Sequence, residues 1–146
     1  MKIKPAYLIV FFTFDAVIII LLVFFFMNKP KTYEQGEEIN DHGNLITVNK
    51  TEKIDPGSAT MDGDYFKISL KYVVPDGPLK GPQPELFRLE NGDGDLFPVE
   101  QVSHNWDDQV WTNSAGVKNF DGTLYLSRVE SPGSDVIEYR VKLKVE

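Results

Sequence analysis

The run Tyr7 to Met27, YLIVFFTFDAVIIILLVFFFM, constrains this chain more than any other stretch, because sixteen of its residues are Leu, Ile, Val or Phe. About twenty apolar residues at a rise of about 1.5 Å each reach about 30 Å, the thickness of a hydrocarbon core. At about −0.3 to −0.6 kcal/mol each on an insertion scale, these side chains outweigh the roughly +2.5 to +3.5 kcal/mol of one central acid, Asp15. A transmembrane helix over 7–27 is therefore expected. A cleaved signal peptide fits less well, since the apolar region is too long and Phe24, Phe25, Phe26, Met27 and Asn28 are too bulky for a cleavage site.

The flanks suggest an orientation. Lys2, Lys4 and the α-amine face Lys29 and Lys31 across the run, an acidic segment follows from Glu34 to Asp41, and no second apolar span appears. Residues 1–6 are then cytoplasmic and 28–146 extracytoplasmic, in a single-pass protein of the cell membrane. Asp15 near mid-span is costly unless it is protonated or faces a partner. The partner would be a basic residue of another membrane or envelope protein, or Asp15 of a second copy in a homodimer.

Charge is divided unevenly. Residues 1–31 carry four Lys and one Asp, so the remainder holds 11 basic and 21 acidic residues, a net charge of −10. Such a domain does not attract nucleic acid or an anionic lipid surface by charge, whereas a cationic ligand, a divalent metal or plain solubility suits it. The chain has no Cys, which excludes disulfides, thiolate metal sites and a lipid carried on cysteine.

Residues 28–43, NKPKTYEQGEEINDHG, show no apolar period and are expected to be an acidic stalk. From residue 44 to 146 the pattern changes to short strands. Ile46, Val48 and Ile54 share one phase. In Tyr65 to Val74, Phe66, Ile68, Leu70, Tyr72 and Val74 alternate with Lys67, Ser69 and Lys71, the mark of a half-buried antiparallel strand. After the proline-rich segment Pro75 to Pro84, Leu86 to Glu90 and Leu96 to Val102 flank the turn NGDGD and predict a hairpin. Residues 103–122 read as a long irregular connection with a short strand at Val110 to Thr112. Thr123 to Val129 and Ile137 to Val145 complete the set, the last with a charged outer face suited to a sheet edge. About seven short strands and no amphipathic helix give an all-β fold. An immunoglobulin-like antiparallel β-sandwich is the favoured architecture, and a small β-barrel the alternative.

Over residues 44–146 this arrangement resembles the immunoglobulin-like, membrane-tethered surface domains of bacteria whose function is unknown. The features that carry the resemblance are an opening strand ending near Ile54, the long Tyr65 to Val74 strand, Leu86 to Glu90 running into an Asn-Gly-Asp-Gly turn, and a last strand after Pro132 and Gly133. The chain departs from that group in lacking a lipid-bearing Cys. The resemblance implies a ligand or protein binder of the cell envelope and carries over no catalytic residue.

Three constellations are candidates for chemistry. Asn91, Asp93 and Asp95 alternate like the first ligands of a calcium loop, but Leu96 and Val102 stand where its glycine and bidentate Glu belong, so a plain hairpin is favoured over a calcium site. Trp106, Asp107, Asp108 and Trp111 offer an apolar surface edged by acids, suited to a sugar or a cationic peptide; the competing expectation has one Trp plugging the core and the other covering a sheet edge. For catalysis the chain supplies only His42 and His104 as near-neutral bases, and it lacks G-x-S-x-G, H-E-x-x-H and a Cys nucleophile. A non-enzymatic binding or interaction module of the envelope, without cofactor, is the expected function. Calcium-dependent adhesion is the alternative, and a hydrolase the least favoured.

Overall fold

The computed structural model describes residues 5–55, 57, 63–75 and 81–146; within the helix, side chains are described for Val10 and 12–27. It separates into two compact units, Met1–Pro30 and Lys31–Glu146.

The first unit holds one helix, α1, Pro5–Met27. Its proline falls in the first turn, where the missing N–H costs nothing. The described apolar side chains, from Val10 to Met27, are all exposed, and so is Asp15. Lys29 places its ammonium 5.3 and 5.0 Å from the Phe25 and Phe26 ring centres. Among the described residues no helix is long and apolar enough to cross a membrane; the described side chains of α1 are by themselves too short a run for that.

The second unit is a β-sandwich of ten strands among the described residues: β1 Lys31–Glu34, β2 Glu38–Asp41, β3 Asn44–Ile54, β4 Asp64–Val73, β5 Phe87–Asn91, β6 Leu96–Pro98, β7 Glu100–Asn105, β8 Val110–Val117, β9 Leu124–Val129 and β10 Ile137–Lys142. One sheet has the order β1-β10-β9-β5-β6 and the other β2-β3-β4-β8-β7. Two separate sheets, not one closed barrel, enclose the core. All pairings between strands are antiparallel except β1 with β10.

The alternation of β4 does what its period requires. Phe66, Ile68 and Leu70 are fully buried, paired across to Ala115, Asn113 and Trp111 of β8. From the other sheet Phe87, Leu89, Leu124, Leu126, Tyr139 and Val141 complete the core. Each such apolar side chain contributes about 1.5–3 kcal/mol on burial. Every residue of that core lies between Ile39 and Leu143, so the β unit carries its own.

Several expectations need correction. The acidic stalk 28–43 is not one: residues 31–41 supply β1 and β2, with Ile39 buried and Tyr33 packed against the core. The connection 103–122 is largely strand, forming the ends of a β7–β8 hairpin. The charged last strand is not an edge, because β10 lies between β1 and β9. The expected hairpin around NGDGD does form, but only to Pro98; at Val99 the chain leaves β6 and enters the other sheet as β7.

Two crossings tie the sheets together at one corner. Between β1 and β2 the chain changes sheet, and beyond β10 Val145 bridges in parallel to Thr51 of β3. Gln35 holds both crossings: its side-chain oxygen accepts from the Thr51 hydroxyl at 2.9 Å and from the Lys144 N–H at 3.0 Å.

Candidate functional site

The site begins with a turn. Asp41 and Asn44 close the β2–β3 hairpin, and the two residues between them have left-handed backbones, His42 at φ 53° and Gly43 at φ 91°. That pair of angles is the type I′ geometry that matches strand twist, and histidine is among the few side chains that tolerate it. The Asn40 side-chain oxygen accepts from Gly43 N–H at 2.8 Å and braces the turn. The consequence is an imidazole held out at one end of the sandwich.

Two further strands, β9 and β10, bring charge to the same place. Arg128 is the inward residue at the end of β9, and its side chain is 9% exposed. Its Nε lies 2.9 Å from Asp41 Oδ1 and its Nη1 lies 3.1 Å from Glu138 Oε2, while Nη1 also donates to the Val129 carbonyl. The Nε contact is off the axis a hydrogen bond needs, so Arg128 Nε and Asp41 Oδ1 are buried with an ionic partner and no hydrogen bond. His42 Nε2 lies 3.1 Å from Glu138 Oε2 and 3.9 Å from Asp41 Oδ1. The Tyr139 hydroxyl is buried nearby with no hydrogen-bond partner among the described residues. Burial, then the Asp41 charge, pushes the phenols of Tyr139 and Tyr72 above their ordinary range, Tyr139 far more.

Asp41, His42 and Glu138 each bring one ligand atom within 4.8 Å of the others, a donor set that divalent cations use. Arg128 is ion-paired with both carboxylates and already supplies the positive charge such a cation would bring. The arrangement is an ion network more than a metal centre.

Beside it lies a cavity of about 300 Å³. Asp41, His42, Asn44 and Arg128 form its polar wall; Tyr72, Val74, Leu86 and Phe87 form its apolar wall, and Gly81, Pro82 and Gln83 its rim. Gly81 passes against the Trp111 indole so closely that a Cβ there would overlap the ring. Residues 76–80 of the proline-rich segment Pro75 to Pro84 lie outside the described residues.

Trp111 meets the expectation of one core tryptophan, whereas Trp106 stands at a hairpin tip and not over a sheet edge. Trp111 is 3% exposed and plugs the core, whereas Trp106 is 46% exposed at the tip of the β7–β8 hairpin. The rings of Tyr72, Trp111 and Trp106 form a line of edge contacts, with centroids 6.0 and then 5.7 Å apart, and His104 stands 4.4 Å from Trp106. Asp107 and Asp108 are exposed beside Trp106, in a turn organised by Asn105, whose side-chain oxygen accepts from both of their N–H groups.

The Asn91, Asp93, Asp95 turn is built differently from a cation site. Asn91 is buried, and its side-chain oxygen accepts from the N–H groups of Asp93 and Asp95 at 3.1 and 2.9 Å. Its amide donates to the Lys118 carbonyl and to Asp95 Oδ2. The one neutral oxygen of the expected ligand set is occupied by backbone donors.

Sequence reasoning missed the ion network. The available signal was the His-Gly pair between Ile39-Asn40-Asp41 and Asn44-Leu45-Ile46, a two-residue hairpin turn masked by the acids around it. No protein-family model, curated protein or solved structure matches this chain.

Proposed function

We propose that the chain is a non-enzymatic binding module of the cell envelope, an immunoglobulin-like sandwich tethered by α1. In this reading α1 spans the membrane over 7–27, residues 1–6 are cytoplasmic, and the β unit works just outside. The observation that carries it is α1 itself, whose described apolar side chains from Val10 to Met27 stand uncovered although the β unit has a complete core of its own. Burying that surface in hydrocarbon removes a cost that water would impose.

Two places can engage a partner. Asp15 within α1 suits a basic residue of another membrane protein or a second copy of this helix. The hairpin tip with Trp106, Asp107 and Asp108 presents an aromatic face edged by acids.

A mild-detergent pull-down of the full chain, beside Asp15→Leu and a Trp106→Ala, Asp107→Ala variant, tests this reading. Partners lost with the first variant place recognition in the membrane, and partners lost with the second place it at the hairpin tip. A specific partner retained by both variants would remove these residues from the account.

A further inference from the structure

The cavity beside Arg128 has a chemistry that narrows its ligand. Asp41 and Arg128, both more than nine-tenths buried, line it side by side, an acceptor next to a donor. Their charges are already committed to each other and to Glu138. An anionic ligand would add charge to two carboxylates that share one guanidinium, and a cationic one would have to compete with Arg128 for them, either of which is expensive in a buried place. A neutral ligand with adjacent hydroxyls has no such cost. One hydroxyl donates to the carboxylate while its neighbour accepts from the guanidinium, and both charges stay paired.

The rest of the lining fits the same class. Asn44 and Gln83 add amides, each donor and acceptor at once. Tyr72 and Leu86 offer an apolar surface for the C–H face of a ring. At about 300 Å³ the space is at the small end of ligand sites, room for one ring and not for an extended molecule. Beyond the Gly81 rim, the aromatic line from Tyr72 through Trp111 ends at the half-exposed Trp106.

We infer that this cavity holds one ring of a neutral, hydroxyl-rich glycan, and that Trp106 stacks on a further unit of the same chain. The inference rests on the binding-module reading and names its ligand class. Trp106 thereby belongs to an extended site whose specific end is the Asp41–Arg128 pair.

The test uses the full chain in phosphatidylcholine nanodiscs, since sugar-headed detergents would compete. Saturation-transfer NMR is recorded with N-acetylglucosamine, its β-1,4 tetramer, maltotetraose and n-butylammonium. At least one saccharide is expected to bind saturably, with an oligomer about tenfold tighter than its monomer, the gain one stacked aromatic supplies. Gln83→Trp, an exposed rim position whose new indole fills the cavity mouth, should abolish binding while leaving the thermal transition in place. Trp106→Ala should remove only the oligomer's advantage. Saccharide binding that survives Gln83→Trp would overturn the assignment to this cavity. Binding of n-butylammonium and of no saccharide would overturn the glycan class and leave the binding-module reading standing. Absence of binding to all four probes would overturn the inference alone, because the pull-down decides the module reading separately.

Discussion

Replacing Arg128 by Met tests whether the ion network is a committed part of the sandwich. The substitution keeps much of the side-chain volume and removes the charge that faces Asp41 at 2.9 Å and Glu138 at 3.1 Å. Asp41 is 5% exposed and would be left facing only the imidazole of His42, 3.9 Å away and 66% exposed. Leaving a buried carboxylate uncompensated costs about 3–5 kcal/mol. That is a large part of the roughly 5–15 kcal/mol that holds a domain of this size. The midpoint of urea unfolding of residues 31–146, followed by tryptophan fluorescence, should fall accordingly with no change in m-value. Adding Asp41→Asn to Arg128→Met removes the orphaned charge and should recover about 1–3 kcal/mol, a coupling that only interacting neighbours show. A cost below about 1 kcal/mol for Arg128→Met, the level of a surface pair, would refute the argument that this network is buried and committed.

Other expectations follow from the same geometry. Gln35→Ala should destabilise the β unit by about 2–3 kcal/mol, because it breaks two hydrogen bonds and orphans the fully buried Thr51 hydroxyl; chemical denaturation reads this directly. Tyr139 keeps its proton in the folded state to a higher pH than in the unfolded chain, so its contribution is fully present below about pH 10 and is lost as pH rises further. Tyr139→Phe should therefore flatten the alkaline loss of stability by about 1.4 kcal/mol per pH unit, measured by urea midpoints in that range. Calcium should leave the Tm unmoved, because the Asn91 side-chain oxygen already accepts from two backbone N–H groups; a concentration-dependent rise would restore the calcium reading.

What the sequence disclosed depended on whether a segment's burial was written in its own periodicity. β4 was legible because Phe66, Ile68 and Leu70 alternate with polar residues over a long strand. β2 was not, because only Ile39 and Asp41 turn inward, and a buried aspartate reads as a solvated one. β7 is exposed at all six positions and shows no alternation, so its second half, 103–105, read as part of a loop. The bulge between Val48 and Lys50 moves Thr51 inward, so simple phase counting along β3 breaks at that point.

The candidate site was split in the same way. Trp106 announced itself by composition, and it stands half exposed at the turn that Asn105 organises. Arg128, in the string Ser127-Arg128-Val129, looks like any outward-facing cation until the β10–β9 register sets it opposite Tyr139 on the inner face. Its pairing with Asp41 joins strands of different sheets, and a long-range charge contact of that kind leaves no mark in sequence spacing.

The central claim, a binding unit tethered outside the membrane by α1, is tested most directly by synthesising the full chain in the presence of inverted bacterial inner-membrane vesicles. The vesicles are washed at alkaline pH and treated with protease. The account predicts that the chain stays with the vesicles and that a fragment containing Lys31–Glu146 is protected inside them. Release of the chain by the alkaline wash, or digestion of the β unit while the vesicles remain intact, would contradict it.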